Sequence, residues 1–122
     1  MFYVPYSDLS DEARKLDFAI ASVMEEFEAV NYYNQRADVA TDESLKEIMI
    51  HNRDEEIEHI AMLLEWFRRN VPKFQEELST YLFTDLPIIE VEEAATDGAE
   101  GGDDAGGKKT GGPTLRLGSL RK

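Results

Sequence analysis

Glu56 and His59 stand three positions apart in "RDEEIEHIAMLLEWFRRN" (53–70), a run whose apolar residues recur with helical spacing. On a helix such a pair shares one face and offers a carboxylate oxygen and an imidazole nitrogen to one ion. Asn52, Leu63 and Trp66 fall on the same face, which aims both polar groups at packing surface. A four-helix di-metal carboxylate site takes a Glu-x-x-His from each of two helices and a Glu from each of the other two. This chain has a single Glu-x-x-His, so half of the ligand set is missing from it.

Glu26 supplies the lone carboxylate. It lies among Ala19, Val23, Ala29, Val30 and Tyr33, where a solvated acid is out of place. The elements that must position these groups follow from the hydrophobic pattern. Ser7 or Ser10 caps a first helix that runs to about Val39, with apolar residues at Leu16, Ala19, Ile20, Val23, Phe27, Val30 and Tyr33. "ATD" at 40–42 interrupts it, Thr41 or Asp42 caps a second helix, and that helix ends near Asn70, before Val71-Pro72. So short a connection makes an antiparallel hairpin. Folded near Thr41, it puts positions 26 and 56 each about 22 Å from the turn, at matched height on facing helices. Two carboxylates converging in such a setting need a compensating cation. Oxygen donors with one imidazole and no sulfur suit iron or manganese, and iron if the site does redox work.

Bulk properties agree. The chain has 122 residues, room for one small domain, and carries 26 acidic against 13 basic residues for a net charge of −13. That sign excludes a nucleic-acid backbone as partner and favours cations or basic proteins. There is no cysteine, which excludes disulfides, thiolate zinc and iron–sulfur clusters and leaves a reducing cytosol as the expected setting. No secretory start and no membrane-length apolar run is expected from the pattern.

Past the hairpin, "KFQEELSTYLF" (73–83) reads as a short third helix and "TDLPIIEVEEAA" (84–95) as an extended connector or packed arm. The organisation expected is a helical domain at 1–90, an acidic, glycine-rich flexible linker at 91–112 and a distinct terminal peptide at 113–122. That peptide, "PTLRLGSLRK", regains Leu115, Leu117 and Leu120 beside basic residues. It reads either as a docking peptide on a tether or as a plain tail.

The fold class is therefore all-α: an antiparallel two-helix hairpin plus a short C-terminal helix. Dimerisation would complete a ferritin-like four-helix bundle, two copies about a twofold axis supplying four carboxylates and two imidazoles at the subunit interface.

"SVMEEFEAVNYYNQR" (22–36), "HNRDEEIEHIAMLLEWFRRN" (51–70) and "TYLFTDLPI" (80–88) resemble the encapsulated ferritins in order and spacing, and "LRLGSLR" resembles an encapsulin-targeting peptide. The resemblance implies a ferroxidase that oxidises Fe(II) with dioxygen at an inter-subunit di-iron centre, with Glu26, Glu56 and His59 as ligands. It implies an annular homo-oligomer of hairpin dimers, commonly a decamer, working in the cytoplasm inside an encapsulin nanocompartment where iron is stored as mineral. It also implies that Glu25 and Glu28 form an outer acidic site attracting incoming metal, with calcium or another divalent cation as occupant; their plain reading is a solvated helix face. Tyr32 stands where some relatives carry Trp, Tyr33 is a candidate hydrogen-bond donor to the ligands, and His51 reads as a surface or interface histidine, or as a member of an outer site. Met24, Met49 and Met62 read as packing residues. Two alternatives remain: a rubrerythrin-like di-iron peroxide reductase, which would normally add a cysteine-ligated iron, and a non-catalytic divalent-metal-binding helical adaptor.

Overall fold

A computed structural model describes residues 2–100, with side chains to residue 97. Residues 101–122, which include the terminal peptide 113–122 and most of the expected linker, lie outside the described residues. Within them the chain forms a 3-10 turn at Tyr6–Asp8 and four helices: α1 (Asp11–Val39), α2 (Glu43–Asn70), α3 (Pro72–Tyr81) and α4 (Ile88–Glu100). There is no strand among the described residues, as an all-α fold requires. None of these helices is long and apolar enough to cross a membrane. The chain divides into two compact units, Met1–Phe67 and Arg68–Lys122, with the boundary inside α2.

In the first unit the caps settle the choices that the sequence left open. Ser10 Oγ accepts from the Ala13 amide at 3.1 Å and Asp11 and Glu12 occupy the first turn, so α1 starts at Ser10 and not Ser7. Asp42 Oδ1 accepts from the Leu45 amide at 2.8 Å, and Asp42 rather than Thr41 starts α2. Ahead of α1, the Arg14 guanidinium lies 4.5 Å from the Tyr6 ring centroid while its Nε donates to the Tyr6 carbonyl at 3.2 Å. This ties the 3-10 turn to the helix.

Two cross-helix contacts fix the hairpin register. His59 meets Glu26, and Arg53 Nη1 donates to Asn34 Oδ1 at 3.1 Å, so position rises on one helix as it falls on the other. The first centres between Asp42 and Glu43 and the second between Glu43 and Ser44, slightly later than the Thr41 centre on which the Glu26–Glu56 pair lies.

Each long helix carries two apolar stripes. The inner one on α1 runs through Leu16, Ala19, Val23, Glu26, Val30, Tyr33 and Ala37, all buried or half-buried. On α2 it runs through Met49, Arg53, Glu56, Ile60, Leu63 and Phe67. The second stripe is exposed. It includes Ile20, Met24 and Phe27 on α1 and Leu45, Ile48 and Met62 on α2. Of the positions expected to be core, Ile20 and Phe27 are thus left bare in the single chain, as are Met24 and Met62, which were read as packing residues.

In the second unit, α3 has Pro72 in its first turn, where a missing amide donor does no harm. Thr80 is buried and its hydroxyl donates to the Glu76 carbonyl at 3.0 Å. The helix ends at Tyr81, short of the expected residue 83, because Leu82 is extended and Phe83 takes a left-handed φ of 60°. The larger difference follows. Where an extended connector or packed arm was expected, passing into linker at 91, α4 spans Ile88–Glu100. The Val91 amide donates to the Pro87 carbonyl at 3.1 Å, Val91 is buried, and α4 contacts α3. Glu90, Glu92, Glu93, Ala94 and Ala95 are strong helix formers, and the first is an acid in the first turn. The glycines that crowd the sequence beyond residue 100 hide the helix propensity of this segment.

The cap at Asp42 gives a direct test. Asp42→Ala should cost about 1 kcal/mol, read as a lower urea midpoint of the metal-free chain with an unchanged slope. An unmoved midpoint would mean that the hairpin turn is held by something other than this cap.

Candidate metal centre

The inner stripes bring Glu26, Glu56 and His59 together. One ligand atom from each lies within 4.8 Å of the others, the spread that one cation can gather. His59 Nδ1 is 2.9 Å from Glu26 Oε2 and 3.8 Å from Glu56 Oε2. The side chains keep 40% exposure for His59, 24% for Glu26 and 21% for Glu56, so the cluster is half-sheltered between the helices and still reachable from solvent.

The matched height was legible from helical arithmetic alone. Glu56 and His59 are one turn apart on α2 and Glu26 faces them from α1 because the register is centred beside Asp42. Glu26 is the common partner, lying within hydrogen-bond distance of His59 Nδ1 and sharing a side-chain hydrogen bond with Glu56. The Glu56 carboxyl is pushed above the ordinary carboxylate range, first by that hydrogen bond, then by burial and then by the negative charge of Glu26. His59 pulls the other way. A proton thus relieves the repulsion between two adjacent acids, and a cation could do the same with greater effect. The donor set of two carboxylates and an imidazole fits a hard to borderline divalent or trivalent ion.

The other residues singled out from sequence do not join this cluster. Glu25 and Glu28 are exposed on α1. His51 points into solvent, its Nε2 3.8 Å from Glu55 Oε1. Tyr32 and Tyr33 flank the Arg36 guanidinium, with ring centroids 5.8 and 5.5 Å from its carbon. Arg36 and the Arg53–Asn34 bridge escaped the sequence reading because no local pattern marks a pair whose meeting depends on register.

The raised Glu56 carboxyl has a thermodynamic sign. A proton held more tightly by the folded than by the unfolded chain stabilises the fold below the unfolded-state pKa, and that contribution is lost as pH rises through the folded-state value. In the metal-free protein, helicity melts should show wild type losing Tm relative to Glu56→Gln as pH rises through the weakly acidic range. A difference that is flat, or of opposite slope, would contradict the shared proton.

Residues 1–85 match the EncFtn-like family. The chain is 51% identical to the "Ferritin-like protein" of Thermotoga maritima over 84% of its own length and 91% of the relative's. It is 50% identical to the "Encapsulated ferritin-like protein" of Rhodospirillum rubrum over 96% and 85% of the two chains. Among solved structures, protein ne0167 from Nitrosomonas europaea superposes with a TM-score of 0.69 at 55% identity, covering 71% of this chain and 96% of that one. With the hairpin, the facing acids and the Glu-x-x-His in place, these likenesses establish that the chain belongs to the EncFtn-like family of ferritin-like proteins.

Proposed function

We propose that the chain is a ferroxidase whose catalytic residues Glu26, Glu56 and His59 form half of a di-iron centre, completed by a second copy. Family membership supports an iron-related, ferritin-like role. The observation that carries the finer reading is the cluster itself: two facing carboxylates and an imidazole within 4.8 Å, each of them still partly open to solvent. Two hairpins meeting over the cluster bring four carboxylates and two imidazoles together.

Iron is the substrate. The paired Glu26 and Glu56 carboxylates bind two Fe(II) ions, whose charge offsets the repulsion between the acids, and any proton on the acids is released as the metal binds. His59 supplies the softer donor that keeps the ferrous state bound, while the carboxylates favour the ferric product. Each Fe(II) gives one electron to dioxygen, and the hard ferric ion passes on for storage. Glu25 and Glu28 lie on the exposed side of α1 and act as an outer acidic site that raises the local concentration of cations, calcium among them. A hairpin protomer encloses no storage volume. The R. rubrum relative is named for encapsulation, which supports an encapsulin shell as partner, the segment 113–122 as the peptide that docks there, and the cytoplasmic nanocompartment as the location.

Glu26→Ala, Glu56→Ala and His59→Ala should each lower Fe(II) oxidation by more than about a hundredfold, given that even the residues supporting a ligand are worth 10–100-fold. Ferric absorbance and helicity should be followed together; wild-type rates in folded variants would dismiss the site. Glu25→Ala and Glu28→Ala should instead weaken the ionic-strength dependence of uptake and leave a working centre. Assembly should respond to metal, since acids from two copies repel until neutralised. Mass measured at low protein concentration should rise when Fe(II) is added anaerobically. An oligomer indifferent to metal would place the centre within one chain.

A further inference from the structure

The start of α4 carries an apolar surface that the proposed iron chemistry does not use. Leu82, Leu86, Ile88 and Ile89 are 40, 57, 70 and 65% exposed, four large aliphatic side chains within eight residues. Glu90, Glu92 and Glu93, all exposed, follow them in the chain, and no Lys or Arg occurs between residues 74 and 100. An aliphatic strip followed by one sign of charge selects its occupant. A second copy of the same strip would bring like charges face to face, and an anionic lipid surface would be repelled.

The complementary segment is in the same chain. Residues 113–122 carry Leu115, Leu117 and Leu120 with Arg116, Arg121 and Lys122, and no acid. Between α4 and this segment lie residues 101–112, of which six are glycine. A glycine-rich connection of that length reaches roughly 20 Å. The 13 residues of α4 span about 20 Å as well, so the segment can return to the start of the helix that it follows. At the millimolar effective concentration of so short a connection, even a weak contact is populated.

We propose that the strip formed by Leu82, Leu86, Ile88 and Ile89 holds the chain's own C-terminal segment 113–122, leucines against aliphatics and basic residues against Glu90, Glu92 and Glu93. Resting on the reading of that segment as the shell-docking peptide, this makes α4 a mask. The fraction of tails held in cis is unavailable to the shell and lowers the apparent affinity of each tail in proportion. A surface with many peptide sites captures a multivalent cargo despite the mask, whereas single stray contacts with other proteins do not form.

The absence of cysteine allows Ser119→Cys to carry one environment-sensitive fluorophore on the full-length protein. The expected result is a blue-shifted, high-anisotropy emission independent of protein concentration. It should be lost in Ile88→Ser/Ile89→Ser and reduced both by high salt and in Glu90→Lys/Glu93→Lys, which keeps the apolar strip and guards against a folding defect. Co-expressed with an encapsulin, both double variants should load at least as well as the parent and oxidise iron at the same rate. Identical emission in parent and variants would overturn the mask, as would emission that fades on dilution, which would mean docking between molecules. Loss of loading in Ile88→Ser/Ile89→Ser would overturn it too, because the strip would then serve the shell. Deleting 113–122 separates the two ideas: continued loading of the deleted chain refutes the docking peptide, whatever the fluorophore reports.

Discussion

Two acids held side by side, Glu26 and Glu56, are the constraint on which the rest of this molecule turns. In water they would repel weakly; half-buried between two helices they cannot both be charged without a compensating partner. In the metal-free chain the Glu56 carboxyl is pushed up by its hydrogen bond to Glu26, and the His59 imidazole lies against Glu26. Both contacts are reversible. A carboxyl that holds its proton more tightly than usual is inclined to take a cation in its place, and the cost of bringing the two acids together is borne by the packing of the inner stripes around them.

That packing is unusually dependent on register. Glu26 meets His59 only because the two helices slide to a centre beside Asp42, and the Arg53–Asn34 bridge holds the same alignment two turns nearer the connection. A slip by one residue on either helix would rotate the acids by about 100° out of the seam. The cap at Asp42 and the cross-helix bridge therefore serve the chemistry although neither touches it.

Much of this was legible in the sequence because helices convert spacing into position. Glu56 and His59 share a face by arithmetic, and Glu26 was matched to them by distance from the connection. What could not be read were features that local pattern does not encode. Arg36 between Tyr32 and Tyr33 depends on side-chain reach, and the Arg53–Asn34 bridge on register. The apolar pattern announced burial for Phe27 and Met24 without saying against what, and in the single chain they are bare. The missed α4 has another cause. Residues 88–95 favour helix, but they adjoin a glycine-rich stretch whose composition hides their own propensity. The length of α3 was misjudged for a third reason: the left-handed turn at Phe83 is made by a residue that does not advertise it.

Among the described residues only Ala19, Ala37, Ile60, Phe67 and Val91 are buried apolar side chains, two of them alanines, and none of the large side chains is fully enclosed. In a cell this bears on lifetime. A lone copy displays phenylalanine, methionine and isoleucine along its length, the features that chaperones and proteases engage, and its thin interior permits frequent opening. If copies pair as proposed, those that find no counterpart would be cleared first. Such turnover would police stoichiometry without a dedicated factor and would shorten the time for which an open cluster of acids is exposed to ferrous iron and dioxygen in the surrounding solution.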